Sequence, residues 1–195
     1  MMYRHLRQQW LSSFTLLFLF VAPADGRVEQ LVRIGFIGQR QEPVAPVSLL
    51  DERVTDDGLQ GARLAIIDNN TTGRFLGQRF VLDERVLAAD EDPLPAARSL
   101  AAEGVRHIVV HLPAAQLRRL AAAPELAQLT LLNSRAPDDA LRNEECTGNV
   151  LHTVPSRAMQ ADALAQYLVW KRWSRWFLLI GRQPADEAYA EAVRR

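Results

Sequence analysis

Four kinds of residue in this sequence could do chemistry. His107 and His111 stand four positions apart, Cys146 follows Glu144 and Glu145, Gly35 and Gly38 bracket the end of an apolar run, and Trp170 to Phe177 interleaves aromatics with cations. In a strand, positions i and i+4 share a face but lie about 13 Å apart. That is too far for one metal ion, and neither His5 nor His152 adds a helical H-x-x-x-H pair or a cysteine partner. Hydrogen bonding or packing at the core edge is the expected role for these histidines, and no metal site is expected.

Cys146 follows two glutamates, an acidic setting that does not favour a nucleophilic thiolate. There is no G-x-S-x-G elbow and no evident acid/base pair, so the sequence points away from an enzyme. A dinucleotide site needs G-x-G-x-x-G directly between strand and helix. Here the glycines are spaced G-x-x-G, Gly35 falls inside the strand, and the next helix starts far downstream. Gly35 therefore reads as a close helix-to-strand contact, and no cofactor is expected. The Trp170–Phe177 stretch suggests nucleic acid or a membrane surface. The simpler account places Lys171 and Arg172 at a helix C-terminus and Trp176 and Phe177 in a buried strand. The pattern Asn69-Asn70-Thr71-Thr72 matches a glycosylation acceptor but reads as polar capping at a helix end.

The elements that must position these residues alternate between strand and helix. Leu31 to Ile37 is an apolar strand of the doubly buried kind. A long loop runs from Gly38 to about Thr55. Asp56 to Asn70 then has the acids, apolar spacing and trailing Gly73 of a helix. Phe80–Val86, His107–His111 and Leu129–Asn133 read as further strands. Helices lie at Pro95–Glu103, ending at Gly104, and from Pro113 to near Pro124. A short strand at 149–154 precedes a helix from Ala158 to Trp173, then an apolar strand within Arg175–Pro184 and an amphipathic segment at Glu187–Arg195. This order predicts an α/β fold with a doubly wound parallel sheet. The later "RWFLLIGRQP" repeats the plan of "VRIGFIGQRQEP", which suggests the start of a second similar unit.

Bulk properties set the outer bounds. The 195 residues carry 23 basic and 23 acidic side chains, so no long-range field favours nucleic acid. With 48% hydrophobic residues the chain can build a core. Arg4 and Arg7 precede an apolar run, Phe14–Val21, that ends at Ala22-Pro23-Ala24. This predicts a secretory signal peptide over 1–24, in preference to an uncleaved anchor. The run is too short to span a bilayer core, so the mature chain is expected to be exported and not membrane-spanning.

In open α/β sheets ligands bind beyond the C-terminal ends of the strands. The loops there are Gly38–Gln41, Leu112–Ala115 and Asn133–Arg135. Their polar residues make Gln39, Arg40, Asn133, Ser134 and Arg135 the candidate ligand contacts, with either arginine able to meet an anionic group.

The ordered series "VRIGFIG", "GLQGARLAIIDNNTTGRFLGQRFVLDE", "GVRHIVVHLPA", "LTLLN", "VLHTVPSRAMQADALAQYLVWK" and "WFLLIG" resembles type I periplasmic substrate-binding proteins of ABC transporters. The branched-chain amino-acid-binding group is the nearest broad class. More narrowly, the series resembles the subgroup encoded with pyrroloquinoline-quinone (PQQ)-dependent alcohol dehydrogenase systems. The resemblance implies two similar lobes closing on a small-molecule ligand in the periplasm, with a membrane permease as partner. It places lobe one at 25–154, the first crossing at Thr153–Ser156, and the incomplete start of lobe two at 155–195, so that the sequence reads as an N-terminal fragment. Relatives that hold an amino acid use small hydroxyl residues after the third and fourth strands. Here Leu112-Pro113-Ala114-Ala115 follows the third strand, which leaves a ligand of other chemistry, including one tied to alcohol oxidation, open beside an amino acid. The alternative from another class is a periplasmic sensor or partner-binding lobe with no transport role.

Overall fold

A computed structural model of the chain describes residues 29–40 and 55–195. The expected signal peptide and most of the loop after Gly38 lie outside the described residues. The elements are β1 (Gln30–Gln39), α1 (Asp57–Leu76), β2 (Gln78–Leu87), α2 (Pro93–Ala102), β3 (His107–His111), α3 (Ala114–Ala121), β4 (Thr130–Asn133), β5 (Val150–His152), α4 (Arg157–Trp170) and α5 (Pro184–Arg194).

The five strands form one parallel sheet in the order β2-β1-β3-β4-β5. From β1 the chain moves outward to β2, then returns across β1 to add β3 on its other side. The strand order therefore reverses between β1 and β3, and this switch point is where a crevice opens at the C-terminal edge.

Alternation along β1 sends successive side chains to opposite faces. Ile37 joins the main core with Ala97 and Leu100 of α2 and Leu117 and Leu120 of α3. Phe36 lies on the other side, near Leu59 of α1. Ile37, Leu100, Ile108, Leu120 and Leu131 are wholly buried, each contributing about 1.5–3 kcal/mol relative to exposure. Gly35 is required by this packing: a Cβ there would lie 3.0 Å from Leu100 Cδ1 and 3.2 Å from Ile108 and Val105 carbons. The close helix-to-strand contact expected of Gly35 is present. Helix α2 starts at Pro93, with the Asp92 carboxylate accepting the Leu94 N–H at 3.1 Å.

Two boundaries differ from the sequence reading for identifiable reasons. Helix α1 runs past Gly73 and stops at Gly77, whose φ of 68° closes the helix in the left-handed region. Gly73 serves another purpose, because a Cβ there would meet Gln78 O at 2.8 Å and the Phe80 ring at 3.1 Å as β2 turns back beneath the helix. Helix α4 stops at Trp170 instead of Trp173. Arg172 takes φ 57°, and Lys171 lies over the Trp170 ring at 4.3 Å.

The strand expected within Arg175–Pro184 does not form. Those residues pair with no other described strand, and Trp176, Phe177 and Leu179 are 51%, 86% and 85% exposed. A strand gains its hydrogen bonds only from a neighbour, and an apolar run without one remains unpaired. Helices α4 and α5 pack on each other, and Ala161, Ala190 and Ala192 on them are buried. Among the described residues no helix is long and apolar enough to cross a membrane.

Candidate functional site

The C-terminal ends of β1 and β3 meet the first turn of α1 around a cavity of about 140 Å³. Phe36, Gly38, Gln39 and Arg40 come from β1 and its exit, His111 from the last position of β3, and Thr55, Asp56, Gly58 and Leu59 from the start of α1. The apolar part of the wall is Phe36, Leu59 and Val86; the polar groups stand around it.

His111 is the pivot of this wall. Its ring stacks on Phe36, with centroids 6.4 Å apart and planes 21° from parallel. Its Nδ1 lies 3.2 Å from Ser134 Oγ, which also donates to Val110 O at 3.3 Å. With the hydroxyl proton on Val110 O, the Ser134 oxygen accepts from His111 Nδ1–H, leaving Nε2 as an acceptor. Gly58 makes the arrangement possible: a Cβ at that position would lie 2.4 Å from His111 Nδ1 and 2.6 Å from Cε1. The first turn of α1 thus presses its backbone against the imidazole.

The residues expected from sequence divide by what their side chains do. Gln39 is nearly buried, lines the cavity, and donates through Nε2 to Glu91 O at 3.3 Å. Arg40 is exposed at the rim, held by its backbone N–H to Leu87 O at 2.8 Å. Ser134 reaches the cavity wall through His111, and Arg135 is half-buried one residue beyond. Asn133 is wholly buried, and its amide is engaged at both ends. Its Oδ1 accepts the backbone N–H groups of Arg135 (3.1 Å) and Ala136 (2.8 Å), and its Nδ2 donates to Ala136 O (2.7 Å) and His152 Nδ1 (2.9 Å). Asn133 shapes the loop that presents Ser134 and Arg135.

Because Nδ2 is a donor only, His152 Nδ1 must be the acceptor, so the imidazole is neutral and carries its proton on Nε2. Its pKa is lowered, chiefly by burial and also by the charge of Arg142, against the opposing pull of the Leu141 backbone. The chain leaving β5 is tied to the same loop. Thr153 N–H and Oγ1 both reach Asn133 O, at 3.0 and 2.9 Å, and an Arg142 guanidinium nitrogen donates to Val154 O. Arg157 pairs with Asp138 at 3.0 Å, and Asp139 accepts the Ala158 N–H at 3.0 Å.

His111, Phe36 and Gly58 were not among the ligand contacts expected from sequence. The signal that could have found His111 is its place as the last residue of a strand beside the switch point. Spacing along β3 argues against a metal shared by His107 and His111. A second cavity of about 170 Å³, between α3 and β5, is lined by Leu117, Ala121, Leu141 and Val150 on the side of the sheet away from Phe36.

No family model matches this chain, and no curated protein does. Solved structures do. An ABC transporter substrate-binding protein from Desulfitobacterium hafniense superposes with a TM-score of 0.62 at 21% identity, over 85% of this chain and 46% of that one. A branched-chain amino acid ABC transporter periplasmic ligand-binding protein from Burkholderia xenovorans gives 0.63 at 18% identity, over 84% and 42%. The branched-chain amino acid transporter substrate-binding protein of Streptococcus pneumoniae, solved with isoleucine, gives 0.57 at 15% identity, over 85% and 46%. The chain spans less than half the length of each of these proteins, and over that span its fold is that of type I periplasmic binding proteins.

Proposed function

We propose that this chain is the ligand-receiving part of an exported solute-binding protein of an ABC transporter, handing its ligand to a membrane permease. The observation that carries the reading is the cavity at the β1/β3 switch point, walled by Phe36 and His111 and rimmed by Gln39 and Arg40. That is where an open α/β sheet binds ligands. The structural neighbours are described as substrate-binding proteins of the same kind of transporter. The proposed contacts are Gln39, Arg40, Ser134 and Arg135, with Asn133 holding the loop, and His111 joins them. Residues 25–154 act as lobe one, and 155–195 begin lobe two after a signal peptide at 1–24. The narrower link to PQQ-dependent alcohol oxidation rests on sequence resemblance alone.

The test is thermal unfolding of the full chain against a panel of amino acids, short alcohols, organic acids and sugars. A binder raises the midpoint with concentration as RT ln(1 + [L]/Kd). If no solute shifts it while a membrane protein co-purifies, the sensor or partner-binding alternative replaces this reading.

A further inference from the structure

We infer that His152 is a proton-operated latch: when its imidazole takes up a proton, the turn 134–136 is released and His111 loses its support in the cavity wall. In the neutral form Nδ1 is an acceptor, taking Asn133 Nδ2–H at 2.9 Å, and Nε2 carries the proton. A proton on Nδ1 sets a donor against a donor. The other polar atom of the Asn133 amide, Oδ1, already accepts the backbone N–H groups of Arg135 and Ala136, at 3.1 and 2.8 Å. Rotating the amide by half a turn brings Oδ1 to the imidazolium but sets Nδ2 against those two N–H groups. Ala136 O then loses its donor, now at 2.7 Å. Asn133 is wholly buried, so water cannot relieve either orientation without the turn opening.

The charges around β5 act in the same direction. Arg142, at the end of the short helical turn Asp139–Arg142, is the charged side chain that bears on the ring. One guanidinium nitrogen donates to Val154 O, the other is buried without a hydrogen-bond partner, and among the described residues Arg142 pairs with no acid. Arg135, beyond β4, is a further cation. The acids on the neighbouring segments are engaged elsewhere: Asp138 with Arg157 at 3.0 Å, Asp139 with the Ala158 N–H at 3.0 Å, and Glu145 with Arg118. A proton on His152 thus adds a second positive charge beside one already desolvated.

The turn connects this pair to the cavity. Ser134 N–H donates to Val110 O at 3.1 Å, and Ser134 Oγ stands 3.2 Å from His111 Nδ1. Ala136 is buried and belongs to the main core. Opening the turn unseats Ala136 and withdraws Ser134 from the imidazole that lines the cavity. The closed ring holds its proton more weakly than a hydrated one, so the latch is shut above about pH 6.5 and loosens as the pH falls below that value. While the closed ring stays neutral, the ratio of open to closed turns rises about tenfold between about pH 7.5 and 5.5.

What the latch means for a ligand rests on the reading of the cleft; the latch itself does not, and it is tested without one. Amide exchange of the full chain, resolved by NMR and corrected for the intrinsic effect of pH, reads the turn directly. The expected result is a fall of about tenfold in protection at Arg135 and Ala136 from about pH 7.5 to 5.5, with Ile108 and Val110 of β3 better protected at both. The two turn amides move with the His152 ring on one midpoint, and the His111 ring shows an inflection there. In His152→Gln, whose side-chain carbonyl accepts from Asn133 at either pH, the fall is absent. In Asn133→Asp, whose carboxylate accepts from the imidazolium, protection of the turn rises as the pH drops. Should neither variant fold, the wild-type co-titration decides alone. Titration of His152 with the turn amides unmoved overturns the inference. So does an equal fall in His152→Gln, or a ring that stays neutral until the chain unfolds. A responding turn in a protein that no solute of the panel stabilises supports the latch and removes the cleft reading.

Discussion

Replacing Asn133 by alanine takes four hydrogen bonds out of the turn that follows β4. The N–H groups of Arg135 and Ala136 lose their acceptor, while Ala136 O and His152 Nδ1 lose their donor. Ala136 is buried, whereas Arg135 and His152 are half-exposed and regain some hydration. At about 1–3 kcal/mol for each buried group left unsatisfied, and less where water enters, the expected loss is about 3–5 kcal/mol. That is a large part of the 5–15 kcal/mol that holds a typical domain together. Urea unfolding followed by far-ultraviolet circular dichroism measures it directly. Asn133→Asp supplies the second arm. A carboxylate still accepts the two backbone N–H groups but now faces His152 Nδ1 with a negative charge. In that variant protonated His152 gains a partner, so its folded pKa rises. The deficit relative to wild type should then shrink as the pH falls through the histidine range. A loss below about 1 kcal/mol for the alanine variant, or an aspartate deficit that does not change with pH, would refute the assignment of Asn133 as the loop's internal anchor.

The wild-type protein should show the opposite trend at His152. A histidine whose folded pKa lies below its unfolded value holds fewer protons when folded, so stability is full above about pH 6.5 and declines as the pH drops beneath it. Comparing urea midpoints at pH 7.5 and 5.5 in wild type and His152→Gln checks this, the variant losing less over the interval. Gly58→Ala should cost about 1–3 kcal/mol of overpacking by driving a methyl group into the His111 ring; an unchanged midpoint would mean that the helix and imidazole do not touch in solution. Trp176→Ser with Phe177→Ser should leave the unfolding midpoint of the sheet within about 0.5 kcal/mol, because both side chains are largely exposed; dichroism at the strand signal would show a larger loss if the segment were paired.

The sheet was readable from sequence because its strands are short apolar runs separated by helix starts and stops. The limits of β3 agree at both ends, since His107 and His111 bound an unbroken Ile-Val-Val. Gly73 misled because a glycine near a helix end signals a cap, while here it clears space for Phe80, at most about 25 Å of chain away in an extended count but adjacent after the turn. Local pattern carries no information on that contact. The apolar run at 175–180 has strand composition, but composition does not supply a neighbour. At the site, Gln39 and Arg40 were legible as residues just past β1 and do line the cavity. The engagement of Asn133 depends on His152, nineteen positions on, and the importance of His111 depends on a helix that follows a different strand. Neither could be read before the topology was known.

The tryptophans bear on how this protein can be observed. Trp170, Trp173 and Trp176 all follow the sheet, on α4 and the segment after it, each more than half exposed; the fourth, Trp10, lies outside the described residues. Residues 29–40 and 55–156 contain none. Emission from the three described tryptophans therefore reports on the C-terminal helices and their apolar flank, and stays silent on both the opening of the parallel sheet and the filling of the cavity beside His111. A probe placed within that sheet, such as a tryptophan at Phe36 or Val86 on the cavity wall, would give the ligand-binding edge an optical signal of its own.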